Sequence, residues 1–205
     1  MCLNAMPRPG EMWRAFIAIE LPHDVRACLA KHIDNLRSAM PEVRASWSRE
    51  ENLHLTLKFL GDTSVAKVEA LSQAAERAAS TVEPFEMVVE GCGAFPPEGQ
   101  PRVLWIGIDD PSGKLVELQQ ALEAECAEVG FAREPRPFHP HLTIARIRKP
   151  QGSRRLAVVH KEIGFNREIV GVSEISVIRS ELRSEGSKHT VISRHSLLSA
   201  LKESG

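Results

Sequence analysis

The chain reads Asn-Leu-His-Leu-Thr-Leu at residues 52–57 and Pro-His-Leu-Thr-Ile at residues 140–144, two copies of one pattern. Each copy places a histidine two residues before a threonine inside an apolar run. Side chains two positions apart on a β-strand point to the same face, and the residues between them point to the other. Each copy therefore predicts a strand with its histidine and threonine on one face and apolar side chains in the core. The four polar residues are His54, Thr56, His141 and Thr143.

Two such pairs suit acid–base chemistry on an anion. Histidine has an unperturbed pKa of about 6.5, so near neutral pH one imidazole can take a proton while another gives one. Threonine hydroxyls can donate hydrogen bonds to phosphate oxygens. The alternative is that both are ordinary strand histidines, facing water or bonded within a core. That alternative suits one copy alone, whereas the matched pair favours the functional interpretation.

The composition is that of a globular chain. With 205 residues, 42% of them hydrophobic, it can form one compact domain or two closely joined lobes. A net charge of −1 argues against non-specific binding of polyanions, although a local basic patch remains possible. The four cysteines form no Cys-x-x-Cys pair, which predicts free thiols with neither a disulfide framework nor a zinc site.

The termini and the thiols predict a cytoplasmic protein. Residues 1–11 lack the apolar stretch of a signal peptide, and their prolines and glycine indicate a flexible tail. No apolar run approaches the ~20 residues that span a membrane, and free thiols fit a reducing compartment. We expect residues 12–205 to form a single bilobal domain, monomeric and without a cofactor or an obligate protein partner.

The two halves of the chain repeat one order of elements. In each half, apolar periodicity and turn residues predict a strand, a helix and then a strand with a histidine motif. The predicted strands are 13–20, 44–48, 53–60, 85–89, 103–108, one after Pro137, 174–182 and 189–197; the predicted helices are 24–40, 64–80, 113–129 and 153–162. A Gly/Pro-rich loop is expected at 91–101. Such a duplication predicts an α+β fold of two pseudo-symmetric lobes, with antiparallel sheets and outer helices around a central groove.

The motifs and their flanks resemble the 2H phosphoesterase superfamily. Within it the chain is similar to the bacterial and archaeal RNA 2′,3′-cyclic phosphodiesterases, once called 2′-5′ RNA ligases. The segments that carry the likeness are NLHLTLKFLG (52–61), FHPHLTIAR (138–146), FIAIELP (16–22), GAFPP (93–97), PRVLWIG (101–107) and SELRSEG (180–186). The likeness extends over residues 12–197. One departure is SREE at 48–51, where the family has a proline-type turn, and we expect it to alter a surface loop but not the chemistry.

The resemblance implies metal-independent hydrolysis of RNA 2′,3′-cyclic phosphate ends to 2′-phosphomonoesters. We assign His54 as the proton donor and His141 as the proton acceptor, although the sequence treats both alike and the reverse reaction exchanges their roles. One alternative is 2′-5′ RNA ligation, the same chemistry in reverse with a ribose 5′-hydroxyl in place of water. Others are a small cyclic phosphate as substrate, such as ADP-ribose 1″,2″-cyclic phosphate, and a non-catalytic RNA-binding module.

Further residues are predicted to bind the substrate. Thr56 and Thr143 would donate to the phosphate oxygens. Lys58 would add positive charge, because strand periodicity puts it on the face of His54. Phe138 would stack on a terminal base, as would Trp47, unless these aromatic side chains belong to the core.

A basic segment surrounds the second motif, and it includes Arg146. Between residues 131 and 155 Glu134 is the single acidic residue, in a chain that is otherwise near neutral. The basic residues are Arg133, Arg136, Arg146, Arg148, Lys149, Arg154 and Arg155. We interpret them as a basic track for the RNA backbone, the alternative being a solvated loop.

His139 and His141 together have the spacing of a metal-binding pair on one strand face. A catalytic zinc site needs about three protein ligands, and neither an HExxH motif nor an acidic residue accompanies this pair. We therefore predict no metal and assign His139 to a supporting or loop position.

Overall fold

The computed structural model describes residues 11–184 and 186–198. The strands of this part are β1 (Met12–Glu20), β2 (Ala45–Trp47), β3 (His54–Ser64), β4 (Phe85–Phe95), β5 (Val103–Asp109), β6 (His141–Ile147), β7 (Glu168–Val172), β8 (Glu174–Arg183) and β9 (Gly186–Ser196). The helices are α1 (His23–Ala39), α2 (Val68–Ala79), α3 (Lys114–Glu128) and α4 (Ser153–Ile163). Apart from Glu11, the predicted tail lies outside the described residues. None of the helices described here has the length and apolar character of a membrane span.

The strands form two antiparallel sheets. One sheet has the order β3-β1-β8-β9, and the other has the order β2-β6-β5-β4-β7. The four strands of the first sheet correspond in order and pairing to β6, β5, β4 and β7 of the second, so the repeat predicted from the sequence is present in the sheets. The predicted α+β fold with two pseudo-symmetric lobes is confirmed.

The lobes are not the two halves of the chain. The first sheet takes β8 and β9 from the C-terminal half, and the second sheet takes β2 from the N-terminal half. The helices cross in the same way: α1 follows a strand of the first sheet and packs on α4, whereas α3 follows a strand of the second sheet and contacts α2 and β3. This exchange gives the lobes one continuous core, in which Ile17 and Leu104 are both fully buried.

Amphipathic spacing accounts for the helices. Because residues three and four apart lie on one side of a helix, each helix buries one apolar stripe against its sheet. The stripe of α1 is Val25, Leu29, Ile33 and Leu36, and that of α3 is Leu115, Leu118, Leu122 and Cys126.

In the first sheet, β3 continues to Ser64, past the end of the predicted strand 53–60 and into the predicted helix 64–80. Two further differences from the sequence prediction lie in the second sheet. The prediction of a loop at 91–101 is wrong for residues 91–95, because β4 continues to Phe95. Gly91 has a φ of 77° and lies at a register shift in the pairing of β4 with β5, so the chain bulges there without leaving the sheet. The second difference is β7, a short edge strand that the sequence analysis does not predict.

Candidate active site

The two motif strands adjoin where the sheets meet. β3 is the edge of the first sheet, and β6 is covered at its outer side by only the short strand β2. Cα atoms of β3 and β6 come within 8 Å of each other. We call the face of each sheet opposite its helices the groove face, and the two groove faces meet along these strands.

The motif strands bulge at the same place. Thr56 pairs with Ala18 and Lys58 with Ile17, so Leu57 is an extra residue in β3. In β6, Thr143 pairs with Trp105 and Ala145 with Leu104, so Ile144 is the extra residue. Since a bulge reverses the alternation of side chains, the pseudo-symmetry extends to the residue that follows each threonine.

The bulge makes the predicted placement of Lys58 wrong. Leu57 and Lys58 are both buried on the core side, and Lys58 Nζ donates to Glu123 Oε2 of α3 at 2.6 Å and to the Ala132 carbonyl at 2.9 Å. Lys58 therefore anchors β3 to α3 and does not line the groove. Because of the same bulge, Phe59 lies on the groove face together with His54 and Thr56. Its side chain is 67% exposed.

His54 is enclosed by aromatic rings. Its imidazole stacks on Phe16 with ring centroids 4.6 Å apart, and it meets His189 edge to face with ring centroids 5.2 Å apart. His54 Nε2 is 3.1 Å from Thr56 Oγ1. Burial and the neighbouring His189 lower the pKa of His54 to about 4, against the opposing effect of a hydrogen bond with the Asn52 backbone. His54 is thus neutral at pH 7 in the free protein.

His141 has a corresponding environment. Its Nδ1–H donates to the carbonyl of His139 at 2.7 Å, so a backbone group two residues earlier holds each motif histidine. Phe95 packs edge-on against the His141 ring at 5.1 Å between centroids. Burial lowers the pKa of His141, and the positive charge of Arg146 lowers it further, although the bond to His139 opposes both. The Nδ1–H bond leaves Nε2 as the nitrogen available for chemistry.

Known proteins are similar to this chain over a region that includes both motif strands. The sequence profile of the 2′-5′ RNA ligase superfamily matches residues 25–182. The chain belongs to this superfamily. A Methanothermobacter thermautotrophicus protein named RNA 2′,3′-cyclic phosphodiesterase is 36% identical over 179 residues, covering 86% of this chain and 95% of its own length.

Solved structures agree with this membership. A Thermus thermophilus protein superposes with a TM-score of 0.75 at 28% identity, covering 90% of this chain and 98% of its own. Escherichia coli LigT, solved with 3′-AMP, superposes with a TM-score of 0.70 at 28% identity, covering 92% of this chain and 100% of its own. The predicted resemblance to the 2H phosphoesterases is confirmed.

Trp105 lies beside His141, and the sequence analysis does not single it out as a candidate site residue. Leu104 and Ile106 are fully buried on the core face, so the indole between them lies on the groove face, 5.3 Å from Phe95 and 6.4 Å from His141 between ring centroids. Its Nε1 is buried without a hydrogen-bond partner. The alternation of VLWIGI around Trp105 was the available signal.

His189 is a second residue missed from the sequence. It lies on β9 and points its ring at Phe16 and His54, with centroids 5.1 Å and 5.2 Å away. A cavity of about 80 Å³ opens between His54 and His189, and Arg26, whose buried Nε has no hydrogen-bond partner, also lines it. No sequence motif marks His189, because only the pairing of the sheet brings β9 to β3.

The departure at residues 48–51 touches the second motif directly. The Ser48 amide donates to the Ile144 carbonyl at 2.9 Å, and its hydroxyl donates to the Thr143 carbonyl at 2.7 Å. These bonds hold the backbone at the bulge of β6. Ser48 therefore helps to hold the strand that carries His141 and Thr143, and the expectation that the departure leaves the chemistry unaltered stays a prediction.

The remaining predicted residues divide between surface and core. Phe138 and Trp47 are half-buried and pack against the main core, as the alternative for both predicts. Arg146 is exposed, and it is close enough to His141 for its positive charge to lower the pKa of that histidine. The other basic residues of the track are exposed too, and Arg136 is paired with Glu134 at 2.7 Å.

Changing Gly93 to alanine should impair the site through Trp105. A Cβ at Gly93 would overlap the indole ring, so Trp105 must move from its position beside His141. We expect kcat to fall on the order of 10²-fold, since a displacement of about 1 Å near reacting groups has that cost. Turnover of a 2′,3′-cyclic phosphate substrate is the measurement. Gly171→Ala, where nothing lies within 4 Å, is the matched control and should retain activity.

Proposed function

We propose that this chain hydrolyses RNA 2′,3′-cyclic phosphate ends to 2′-phosphomonoesters by a two-histidine mechanism without a metal. The observation that carries the proposal is the equivalence of the motifs: each histidine is held by a backbone group two residues earlier, and each threonine precedes the same bulge. The names of the relatives and the 3′-AMP bound by LigT support a nucleotide phosphate as the ligand.

The proposed reaction uses each group once. His141 takes a proton from water, and the water oxygen forms a bond to phosphorus. The bond from phosphorus to the ribose 3′ oxygen breaks, and His54 gives its proton to that oxygen. Thr56 and Thr143 donate to the non-bridging oxygens as negative charge builds on them. The product is a 2′-phosphate with a free 3′-hydroxyl, and the two histidines have exchanged one proton in net terms.

The lowered pKa values of the histidines set a condition on this scheme. The donor must be charged, yet burial keeps the His54 ring neutral at pH 7, with a pKa of about 4. A phosphate anion beside the ring favours its charged form and raises that pKa. The negative charge of the bound substrate therefore favours uptake of a proton from solvent by His54, so the donor is charged when the site is occupied.

The pH dependence follows from these directions. The profile of kcat/KM reports groups of the free enzyme, and one ring must be charged while the other is neutral. With the pKa of His54 at about 4 and that of His141 lowered from 6.5, the productive state declines as pH rises through the higher of the two values. We expect a bell with its maximum below pH 6.5, and a kcat profile displaced to higher pH. A constant rate from about pH 5 to 9 would contradict the scheme.

The direct test is incubation with a short RNA that ends in a 2′,3′-cyclic phosphate, with EDTA present. The expected product is the 2′-phosphomonoester, identified by resistance to a 3′-specific phosphatase and by chromatography against both isomers. A 3′-phosphate product would overturn the assigned bond cleavage, and loss of turnover with EDTA would overturn metal independence. Joining of the RNA to an added 5′-hydroxyl strand favours ligation, and binding without turnover favours an RNA-binding module.

Arg146 and Arg148 test the basic track. Both are exposed, and Arg148 Nε donates to Ser46 Oγ at 2.7 Å beside β6. If they bind RNA phosphates, replacing both with glutamine should weaken binding more at low salt than at high salt, because each bound phosphate releases counterions. The slope of log Kd against log salt concentration should decrease by about 1 for each arginine that binds a phosphate. An unchanged slope would contradict the track.

A further inference from the structure

A second histidine cluster lies on the core face of the second sheet. His32 of α1, His160 of α4 and Cys92 of β4 each present one ligand atom, and these atoms lie within 4.8 Å of one another. His160 is fully buried, His32 is 5% exposed and Cys92 is half-buried. The proposed function uses none of the three.

The bulge in β4 brings Cys92 into the cluster. Glu90 pairs with Gly107 and Cys92 with Ile106, so Gly91 is the extra residue, and its φ of 77° is one that glycine tolerates. The bulge reverses the alternation of β4 and turns Cys92 to the face covered by α1 and α4. The Cys92 thiol thus points at two histidines from helices far apart in the chain.

Hydrogen bonds orient the two imidazoles toward each other. The His160 Nε2–H donates to the Trp105 carbonyl at 3.0 Å, which leaves the lone pair of Nδ1 facing His32. His32 Nε2 lies 2.9 Å from His160 Nδ1, and Phe165 packs edge-on against the His32 ring. A ring nitrogen bonded to a backbone carbonyl, with the other nitrogen aimed at a shared point, is the arrangement of metal-ligating histidines.

We propose, contrary to the sequence prediction of no zinc site, that His32 Nε2, His160 Nδ1 and Cys92 Sγ bind one Zn²⁺ ion. Two imidazoles and a thiolate suit this borderline-soft ion, and water entering beside the half-buried Cys92 completes a tetrahedron. Nitrogens bound to one Zn²⁺ at ~2.0–2.1 Å lie about 3.3 Å apart, so the rings need to separate by about 0.4 Å. The ion links α1, β4 and α4 behind the strand that carries Trp105.

Binding of Zn²⁺ would change the protonation of Cys92 and His32. The Cys92 thiol loses its proton to solvent as the sulfur–zinc bond forms. His32 keeps one proton, which moves from Nε2 to Nδ1, and His160 keeps its Nε2 proton on the Trp105 carbonyl. A free thiol has an ordinary pKa of about 8.5 and is protonated at pH 7, so the proton is present before binding. Each bound ion therefore releases one proton.

Cobalt titration of the full chain, without an affinity tag and after chelator treatment, tests the site. We expect one equivalent of Co²⁺ to give visible tetrahedral bands and a thiolate-to-cobalt charge-transfer band, with one proton released. Zn²⁺ should abolish these bands and raise Tm. An absent charge-transfer band would overturn the proposal and leave a purely hydrogen-bonded histidine pair.

Two cysteine variants make the test specific. Cys92→Ser removes the thiolate with little change in volume and should abolish the charge-transfer band and the Tm shift. Cys126→Ser, at a fully buried cysteine of α3 outside the cluster, should retain both. A band that persists in the Cys92 variant, or disappears in the Cys126 variant, would contradict the ligand assignment. Hydrolysis of the cyclic phosphate plays no part in these measurements, so failure of one proposal is distinguishable from failure of the other.

Discussion

Replacing His54 or His141 by alanine is expected to lower kcat on an RNA 2′,3′-cyclic phosphate end by about 10²–10⁴-fold for each residue. Either substitution removes the group that gives or accepts a proton, while the hydroxyls of Thr56 and Thr143 remain to bind the phosphate. Affinity for a non-hydrolysable RNA end should therefore change little. Single-turnover rates and equilibrium binding, measured on the same preparations, separate the two effects.

His23→Ala is the matched control for both variants. His23 begins α1, and its side chain is 82% exposed, so its removal should leave kcat unchanged. The double variant at His54 and His141 should be little slower than the worse single variant, because residues that act as a unit have non-additive effects. Unchanged turnover in either single variant would end the catalytic proposal.

The four motif residues could be read from the sequence because a strand has a period of two. His54 and Thr56 need only be two residues apart to share a face, and the same holds for His141 and Thr143. The duplicated order of strand, helix and motif strand likewise predicts the pseudo-symmetric lobes. These inferences depend on local spacing, which the sequence contains.

The position of Lys58 could not be predicted from local spacing. Perfect alternation puts it beside His54, but the extra residue Leu57 turns it into the core against Glu123. A bulge depends on how β1 pairs with β3, and the residues from 55 to 58 do not indicate it. Ala145 follows the equivalent bulge in β6 and is buried in the same way.

Residues that meet only through tertiary structure could not be paired from the sequence. His189 reaches His54 across β1 and β8, and His32 meets His160 because α1 crosses to the other lobe. Neither pair has a characteristic spacing. The crossing of the helices, with β8 and β9 returning to the first sheet, determines these contacts.

The ion pair between Lys58 and Glu123 predicts a large effect on stability. Both side chains are nearly buried, and Glu123 also accepts a hydrogen bond from the Glu134 amide at 3.1 Å. Lys58→Met should lower the free energy of unfolding by about 3–5 kcal/mol, because it leaves a buried carboxylate without its countercharge. Guanidinium unfolding followed by circular dichroism measures this change.

The double variant Lys58→Met/Glu123→Leu separates the pair from the packing around it. Replacing both charges with apolar groups removes the desolvation cost, so the double variant should recover most of the stability lost in Lys58→Met. Lys114 and Glu83 form the surface control: their atoms are also only 2.9 Å apart, but solvent reaches both, and Lys114→Met should leave the unfolding midpoint unchanged. If Lys58→Met and Lys114→Met destabilise the chain equally, burial does not determine how much the pair of Lys58 and Glu123 contributes to stability. If the double variant is no more stable than Lys58→Met, the unpaired carboxylate does not account for the loss. The bond of Lys58 to the Ala132 carbonyl, absent from both variants, and the bond of the Glu134 amide to Glu123, absent from the double variant, then account for it.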